Sequence, residues 1–208
     1  MNQKGANVTL HINDSKGSLL SKNRHNLVTA AIEAKADYIL WIDSDIRFPP
    51  DLFFRLVQWG KDIVGCNYPQ KKIPSHPTVF IDKEDAARLF PEEMEAVPTN
   101  KMVALISRPE QKGLIKCVFL GFGALLMRTE CFKNVPPPWF DITWKPGTND
   151  YEGEDVCCLR RMREFGFDVY CDLETSNLVT HIGDFEYTHD LVEGYYGSGN
   201  GNENHGSR

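Results

Sequence analysis

Two carboxylates one residue apart, Asp43 and Asp45, follow a short apolar run, Tyr38-Ile39-Leu40-Trp41-Ile42. A run of that kind reads as a buried strand. Side chains alternate along a strand, so the two acids are expected to point the same way from its carboxyl end. Open α/β sheets bind their ligands at that edge. Two like charges so close are costly unless a cation lies between them or water surrounds them. The pair therefore reads either as a divalent-metal site holding a phosphorylated ligand or as a polar loop after a strand. Pro49 and Pro50 stop a continuing strand, and Asp51 is placed to cap a new helix.

Two later features carry similar chemistry. Gly153-Glu154-Asp155 opens a helical pattern that runs to Phe165. Its acids can complement the helix N-terminus or remove a proton from a bound hydroxyl. His181-Ile182-Gly183 follows a late apolar run, where the imidazole is either a metal ligand or an ordinary loop histidine. Between them, Gly121-Phe122-Gly123 lets the backbone approach a ligand or a neighbouring chain segment closely.

The elements that must position these residues can be read from periodicity. Val8 to Ile12 alternates and reads as a strand ending at a turn cluster. Ser18 to Lys35 reads as a helix with Leu20, Leu27, Ala31 and Ala34 as its apolar stripe and Val28 and Ile32 beside them. Asp51 to Trp59 reads as a second helix stopped by Gly60, and Asp62 to Cys66 as a strand. This alternation predicts βαβ units and a mostly parallel sheet. Thr78 to Ile81 is a short strand, and 82–94 an acidic, helix-like surface excursion. Met102 to Ser107 and Leu114 to Phe119 suggest an antiparallel hairpin. Thr129 can cap a short helix, and 136–149 reads as a loop. Trp139, Phe140 and Trp144 in that loop either seal the core or offer flat faces to sugar rings. Phe167 to Asp172 and Leu178 to Ile182 complete the strands.

The 208 residues suit one domain, expected over 1–193, with a low-complexity, disordered tail over 194–208. Apolar residues make up 41%, enough for a real core. The net charge of −6 argues against a general nucleic-acid binder but not against an anionic ligand held through a metal. No apolar run approaches a membrane span, and no secretory signal opens the chain. The six cysteines match no zinc spacing and read as small buried residues of a reducing, cytoplasmic compartment.

Taken in order, Ser21 to Asn26, Tyr38 to Pro50, Phe119 to Arg128, Tyr151 to Gly166 and Thr180 to Gly183 make the chain resemble the GT-A family of nucleotide-sugar-dependent glycosyltransferases, in its compact viral and phage form. The resemblance implies a Rossmann-like α/β fold with a mixed sheet flanked by helices. It implies transfer of a sugar from a nucleoside-diphosphate sugar, UDP- or GDP-linked, to a glycan or other hydroxyl acceptor. Mn²⁺ or Mg²⁺ would neutralise charge on the departing diphosphate. By the same resemblance Asp45 is the direct metal ligand and His181 the second. Asp43 would reach a ribose hydroxyl or the metal through water. Asp155, or Glu154 beside it, would be the base of an inverting reaction. Arg24 would lie near phosphate, where it could equally be a solvated helix residue, and Asp14 near the nucleotide base. Relatives usually open with a strand and helix ahead of the Val8 segment. Only seven residues precede Val8, so the sheet is expected to lack the usual first strand.

Three other readings compete. A haloacid-dehalogenase-type phosphatase also places Asp-x-Asp after an apolar strand, but Arg47 stands where that pattern wants Thr or Val. A sugar nucleotidyltransferase wants a Gly-rich basic loop near the start. A non-catalytic sugar-nucleotide or carbohydrate-binding remnant of the transferase fold would keep the framework without turnover.

Overall fold

The computed structural model describes residues 8–14, 17–91 and 102–192. In chain order they form α1 (Leu20–Glu33), β1 (Tyr38–Ile42), β2 (Ile46–Arg47), α2 (Leu52–Val57), β3 (Ile63–Gly65), β4 (Phe80–Ile81) and α3 (Lys83–Leu89). Then follow β5 (Val103–Ala104), β6 (Leu114–Cys117), β7 (Ala124–Arg128), α4 (Thr129–Asn134), β8 (Thr143–Trp144), β9 (Tyr151–Glu152) and α5 (Glu154–Glu164). The described chain closes with β10 (Val169–Asp172), α6 (Leu173–Ser176), β11 (Thr180–Ile182), β12 (Glu186–Tyr187) and a 3₁₀ turn at His189–Val192.

The main sheet has the order β1-β7-β3-β10-β6. Strand β7 runs antiparallel to both β1 and β3, β10 runs parallel to β3, and β6 closes the far edge antiparallel to β10. The sheet is therefore mixed, with helices on both faces, as in Rossmann-like folds. Alternation along β1 divides the core. Ile39 and Trp41 join one apolar cluster, while Tyr38, Leu40 and Ile42 join the other. The first cluster is covered by Val28 of α1, Phe132 of α4 and Cys158, Leu159 and Met162 of α5. The second is covered by Leu52 and Leu56 of α2 and by Ile46 and Val179.

The expected mostly parallel sheet is corrected to a mixed one. The β1–α2–β3 crossover forms, but it leaves space for one strand, and β7 fills it from the opposite direction. Val8 to Ile12 is not a strand. Val8, Leu10 and Ile12 are all exposed, so neither face of an alternating pattern is buried. The expected hairpin is also absent. Val103–Ala104 pairs with β4, whereas Leu114–Cys117 pairs with β10. Alternation identifies a strand but not its partner. Asp51 precedes α2 without capping it, and its carboxylate takes the Arg55 Nε instead, at 2.8 Å. Thr129 likewise makes no capping bond; it lies inside the first turn of α4. Residues 92–101, in and beyond the acidic excursion, and the tail from 193 lie outside the described residues.

On α1 the buried row is Arg24, Val28 and, partly, Ile32, spaced four apart, while Leu20 and Ala34 are exposed. Val28 and Ile32, expected beside the stripe, and Leu27 within it do pack on the core, but the stripe's ends are exposed and a guanidinium takes an inner position. Gly60 and Gly166 adopt positive φ, 63° and 89°, and end α2 and α5 as expected. All six cysteines are buried and unpaired.

Candidate functional site

Strand β1 ends at Ile42, so Asp43 and Asp45 lie on the turn that follows, not on the strand. The Ile46 N–H donates to the Asp43 carbonyl at 3.1 Å and closes that turn. The reversal sends the two carboxylates to different partners and corrects the expectation that they share one direction. Asp43 faces Arg24, with Oδ1 3.7 Å from Nη2. Asp45 Oδ2 accepts from Lys71 Nζ at 2.5 Å and lies 3.4 Å from His181 Nε2.

A small second sheet brings His181 there. Strand β2 pairs with β11, His181 opposite Ile46, and the Ile182 N–H donates to the Asp45 carbonyl at 2.7 Å. The ring is held on its other side, where Nδ1 lies 3.0 Å from the Pro69 carbonyl. A carbonyl only accepts, so Nδ1 carries a proton and donates to Pro69, which turns Nε2 towards Asp45. A backbone carbonyl orienting an imidazole in this way is a common support for a metal-ligating histidine. Tyr68 packs edge-on against the same ring, centroids 5.6 Å apart.

The acidic helix start arrives from the other side. Arg24 is only 7% exposed, and its Nη1 donates to Glu154 Oε1 at 2.8 Å. The guanidinium also stacks on Phe122, 4.7 Å from the ring centroid. Arg24 thus ties α1, the Asp43 turn and the start of α5 into one cluster, which excludes the solvated-residue reading. Burial pushes the Asp43 carboxyl upward, Arg24 opposes this, and Asp45 and Asp155 add repulsion, so it ends above its usual range. Asp45 is also pushed up by burial, but the Lys71 hydrogen bond and the His181 and Lys71 charges outweigh this and hold it below that range. Asp155 projects from the first turn of α5, and its Oδ1 accepts from the Val156 N–H at 2.7 Å. Arg24 thereby gathers Asp43 and Glu154, with Asp155 repelling Asp43, while Asp45 pairs with Lys71 and His181 on the same turn after β1. Asp14 remains in the exposed irregular segment 8–14.

The close approach expected at Gly121-Phe122-Gly123 is to Tyr68. The Gly123 N–H donates to Tyr68 Oη at 2.9 Å. A Cβ on Gly123 would stand 2.7 Å from Tyr68 Cζ and 2.9 Å from Ile46 Cγ1. Gly123→Ala is therefore expected to destabilise the fold by about 1–3 kcal/mol through overpacking. A urea midpoint unchanged from the parent protein would refute that packing.

In the aromatic loop, Trp139 and Phe140 seal the core and Trp144 does not. Trp139 and Phe140 are buried and pack with Trp41, Phe122 and Phe132. Trp144 is 47% exposed and lies on a β8–β9 hairpin opposite Tyr151, which is also exposed. The other face of the hairpin is pinned to α5, where Glu152 Oε2 accepts from Arg160 Nε and Cys157 Sγ, both at 3.1 Å. Sequence reading undervalued two site residues. Tyr68 carried no signal, and Lys71 with Lys72 reads from sequence either as closing over a diphosphate or as a solvated basic loop.

Among the described residues no group of three or more His, Cys, Asp or Glu side chains is arranged to hold a metal ion. Asp45 and His181 supply two donors, a hard oxygen and an oriented imidazole nitrogen. That set would suit a Mg²⁺ or Mn²⁺ that drew its other ligands from outside the protein. A separate cavity of about 330 Å³, lined by residues such as Arg88, Lys112 and Lys116, lies at the β6 edge, across the sheet from β1.

No protein-family profile and no curated protein matches the chain. Solved structures do, including the crystal structure of A197 from STIV. The two chains are 15% identical, with a TM-score of 0.53, over 85% of this chain and 75% of the other. At that identity the likeness shows a shared fold. Among the described residues no helix is long and apolar enough to cross a membrane.

Proposed function

We propose that this protein is a metal-dependent glycosyltransferase. It moves a sugar from a UDP- or GDP-sugar to a hydroxyl on a glycan or similar acceptor, with inversion. The observation that carries the reading is the meeting of Asp45 with the oriented Nε2 of His181 beside Asp43, at the carboxyl end of β1. The motif order that resembles GT-A enzymes and the shared fold support it.

Asp45 and His181 would hold a Mn²⁺ or Mg²⁺, which when bound would supply positive charge to the departing diphosphate. Asp43 takes a ribose hydroxyl or a metal-bound water. Arg24 is committed to Glu154 and positions the acids; a phosphate contact from Arg24 would require that pair to open. Asp14 is the remaining candidate for the nucleotide base. Glu154 is neutralised by Arg24, which leaves Asp155 as the base. The acceptor oxygen bonds to the anomeric carbon, the bond to the diphosphate oxygen breaks, and Asp155 receives the acceptor proton. Trp144 and Tyr151, four residues or fewer from α5 in chain or register, offer aromatic faces to the acceptor.

The test is hydrolysis or transfer from a panel of nucleotide sugars with and without Mn²⁺. Absence of nucleoside-diphosphate binding at saturating Mn²⁺ would sink the proposal. Asp155→Asn is expected to lower kcat about 10²- to 10⁴-fold with donor affinity retained. Full activity in that variant, with activity lost in Glu154→Gln, would move the base to Glu154. A second reading is a non-catalytic sugar-nucleotide binder. The Lys71 ammonium on Asp45 and the absence of a three-residue metal group among the described residues favour it. Donor binding without turnover on any acceptor would select it.

A further inference from the structure

Lys71 is unused by the chemistry above, yet its Nζ makes the shortest polar contact at the Asp45 carboxylate, 2.5 Å from Oδ2. His181 Nε2 faces that same oxygen at 3.4 Å. An ammonium and a divalent cation cannot share one carboxylate oxygen at such distances without strong repulsion. For a cation to be held by Asp45 and His181 together, Lys71 must leave.

The surrounding segment is built for that movement. Its backbone is fixed. Pro69 bridges Pro77, the Gln70 N–H donates to the His76 carbonyl at 2.8 Å, and Ser75 Oγ donates to the Gln70 carbonyl at 2.8 Å. Pro69 also holds His181 through its carbonyl, so the segment orients one ligand while it covers the other. The Lys71 side chain is 34% exposed and that of Asp45 41% exposed, so the pair is a half-solvated one of the kind that exchanges at little cost. The Lys71 stem passes Gly183, where a Cβ would stand 3.4 Å from its Cδ.

We propose that Lys71 is an exchanging ligand-binding residue. It rests on Asp45 in the free protein and transfers to a phosphate oxygen when a divalent cation and a nucleoside diphosphate bind together. This rests on the reading of Asp45 and His181 as metal ligands. Cation and nucleotide are then coupled. The cation alone must displace Lys71 with nothing to receive it, whereas the diphosphate provides a new partner for the ammonium.

The experiment is calorimetric titration of the full chain with Mn²⁺ alone, then with Mn²⁺ in the presence of UDP or GDP, checked by the electron paramagnetic resonance signal of free Mn²⁺. In the parent protein the nucleotide is expected to tighten Mn²⁺ binding about 5- to 150-fold, the usual range of coupling. Lys71→Gln is expected to bind Mn²⁺ alone at least about 5-fold more tightly, with the coupling reduced to the part that direct phosphate ligation of the cation supplies. Lys71→Arg, which keeps the charge, is expected to restore weak binding of Mn²⁺ alone. Equal Mn²⁺ affinities and equal coupling in the parent and Lys71→Gln proteins would overturn the exchange while leaving the transferase reading standing. Failure of both proteins to bind Mn²⁺ or nucleotide would overturn the two together.

Discussion

Asp45→Asn is expected to abolish Mn²⁺-dependent nucleotide binding and to lower transfer by at least about 100-fold, beyond the loss typical of residues that merely support a metal ligand. An amide keeps the shape of the carboxylate but loses its charge, so it cannot anchor a hard cation or retain Lys71. Stability is expected to change little. The Asp45 side chain is 41% exposed, and an ion pair so placed contributes about 0–1 kcal/mol. The two readouts therefore separate. Metal titration and the urea midpoint, measured on one preparation, should show lost binding with an almost unmoved midpoint. Undiminished Mn²⁺-dependent nucleotide binding in Asp45→Asn would remove this residue from the site.

Arg24→Ala is expected to act in the opposite sense, on the fold first. Arg24 is 7% exposed, its partner Glu154 has a side chain 14% exposed, and the two meet at 2.8 Å. Removing one member of a buried pair leaves the other charge uncompensated, at a typical cost of about 3–5 kcal/mol. The guanidinium also covers Phe122, so its loss exposes apolar surface. In chemical denaturation Arg24→Ala should lower the midpoint far more than Asp45→Asn. The double variant Arg24→Ala with Glu154→Ala should cost less than the sum of the two single changes, because the stranded charge is gone. Additive losses, or a cost below about 1 kcal/mol for Arg24→Ala, would show that the pair does not anchor the site.

Much of this was legible in local pattern. The five apolar residues before Asp43 were read as a strand, and the strand is there with a residue or less of error. Leu52 and Leu56 face inward because a 3.6-residue period places them one turn apart. Gly166 ends α5 because its positive φ suits a residue without a Cβ. Each of these depends on neighbours within one or two turns of chain.

The failures share a different cause. Val8 to Ile12 alternates like a strand, but alternation acts only where a partner strand and a core face exist, and these side chains are exposed. Val103–Ala104 and Leu114–Cys117 were each recognisable, but their partners lie 22 or more residues away along the chain. Arg24 reads from sequence as a phosphate contact or a solvated helix residue; that it is buried against Glu154, 130 residues later, is not visible in local pattern.

The Asp-Ser-Asp turn shows where the division falls. From sequence alone came the chemistry available: two carboxylates after a strand, an acidic helix start, and a histidine after a late strand, in an order resembling GT-A enzymes. Residue types and local periods are properties of short stretches, and short stretches reveal them. Tertiary structure alone decided that the chain reverses after Ile42, that Asp43 turns to Arg24, and that Asp45 meets His181 and Lys71. Those meetings are made by β2 pairing with β11 and by the Pro69 carbonyl, contacts between segments more than 100 residues apart. No local propensity encodes such contacts, because their energy exists only once both partners have been brought together by the core.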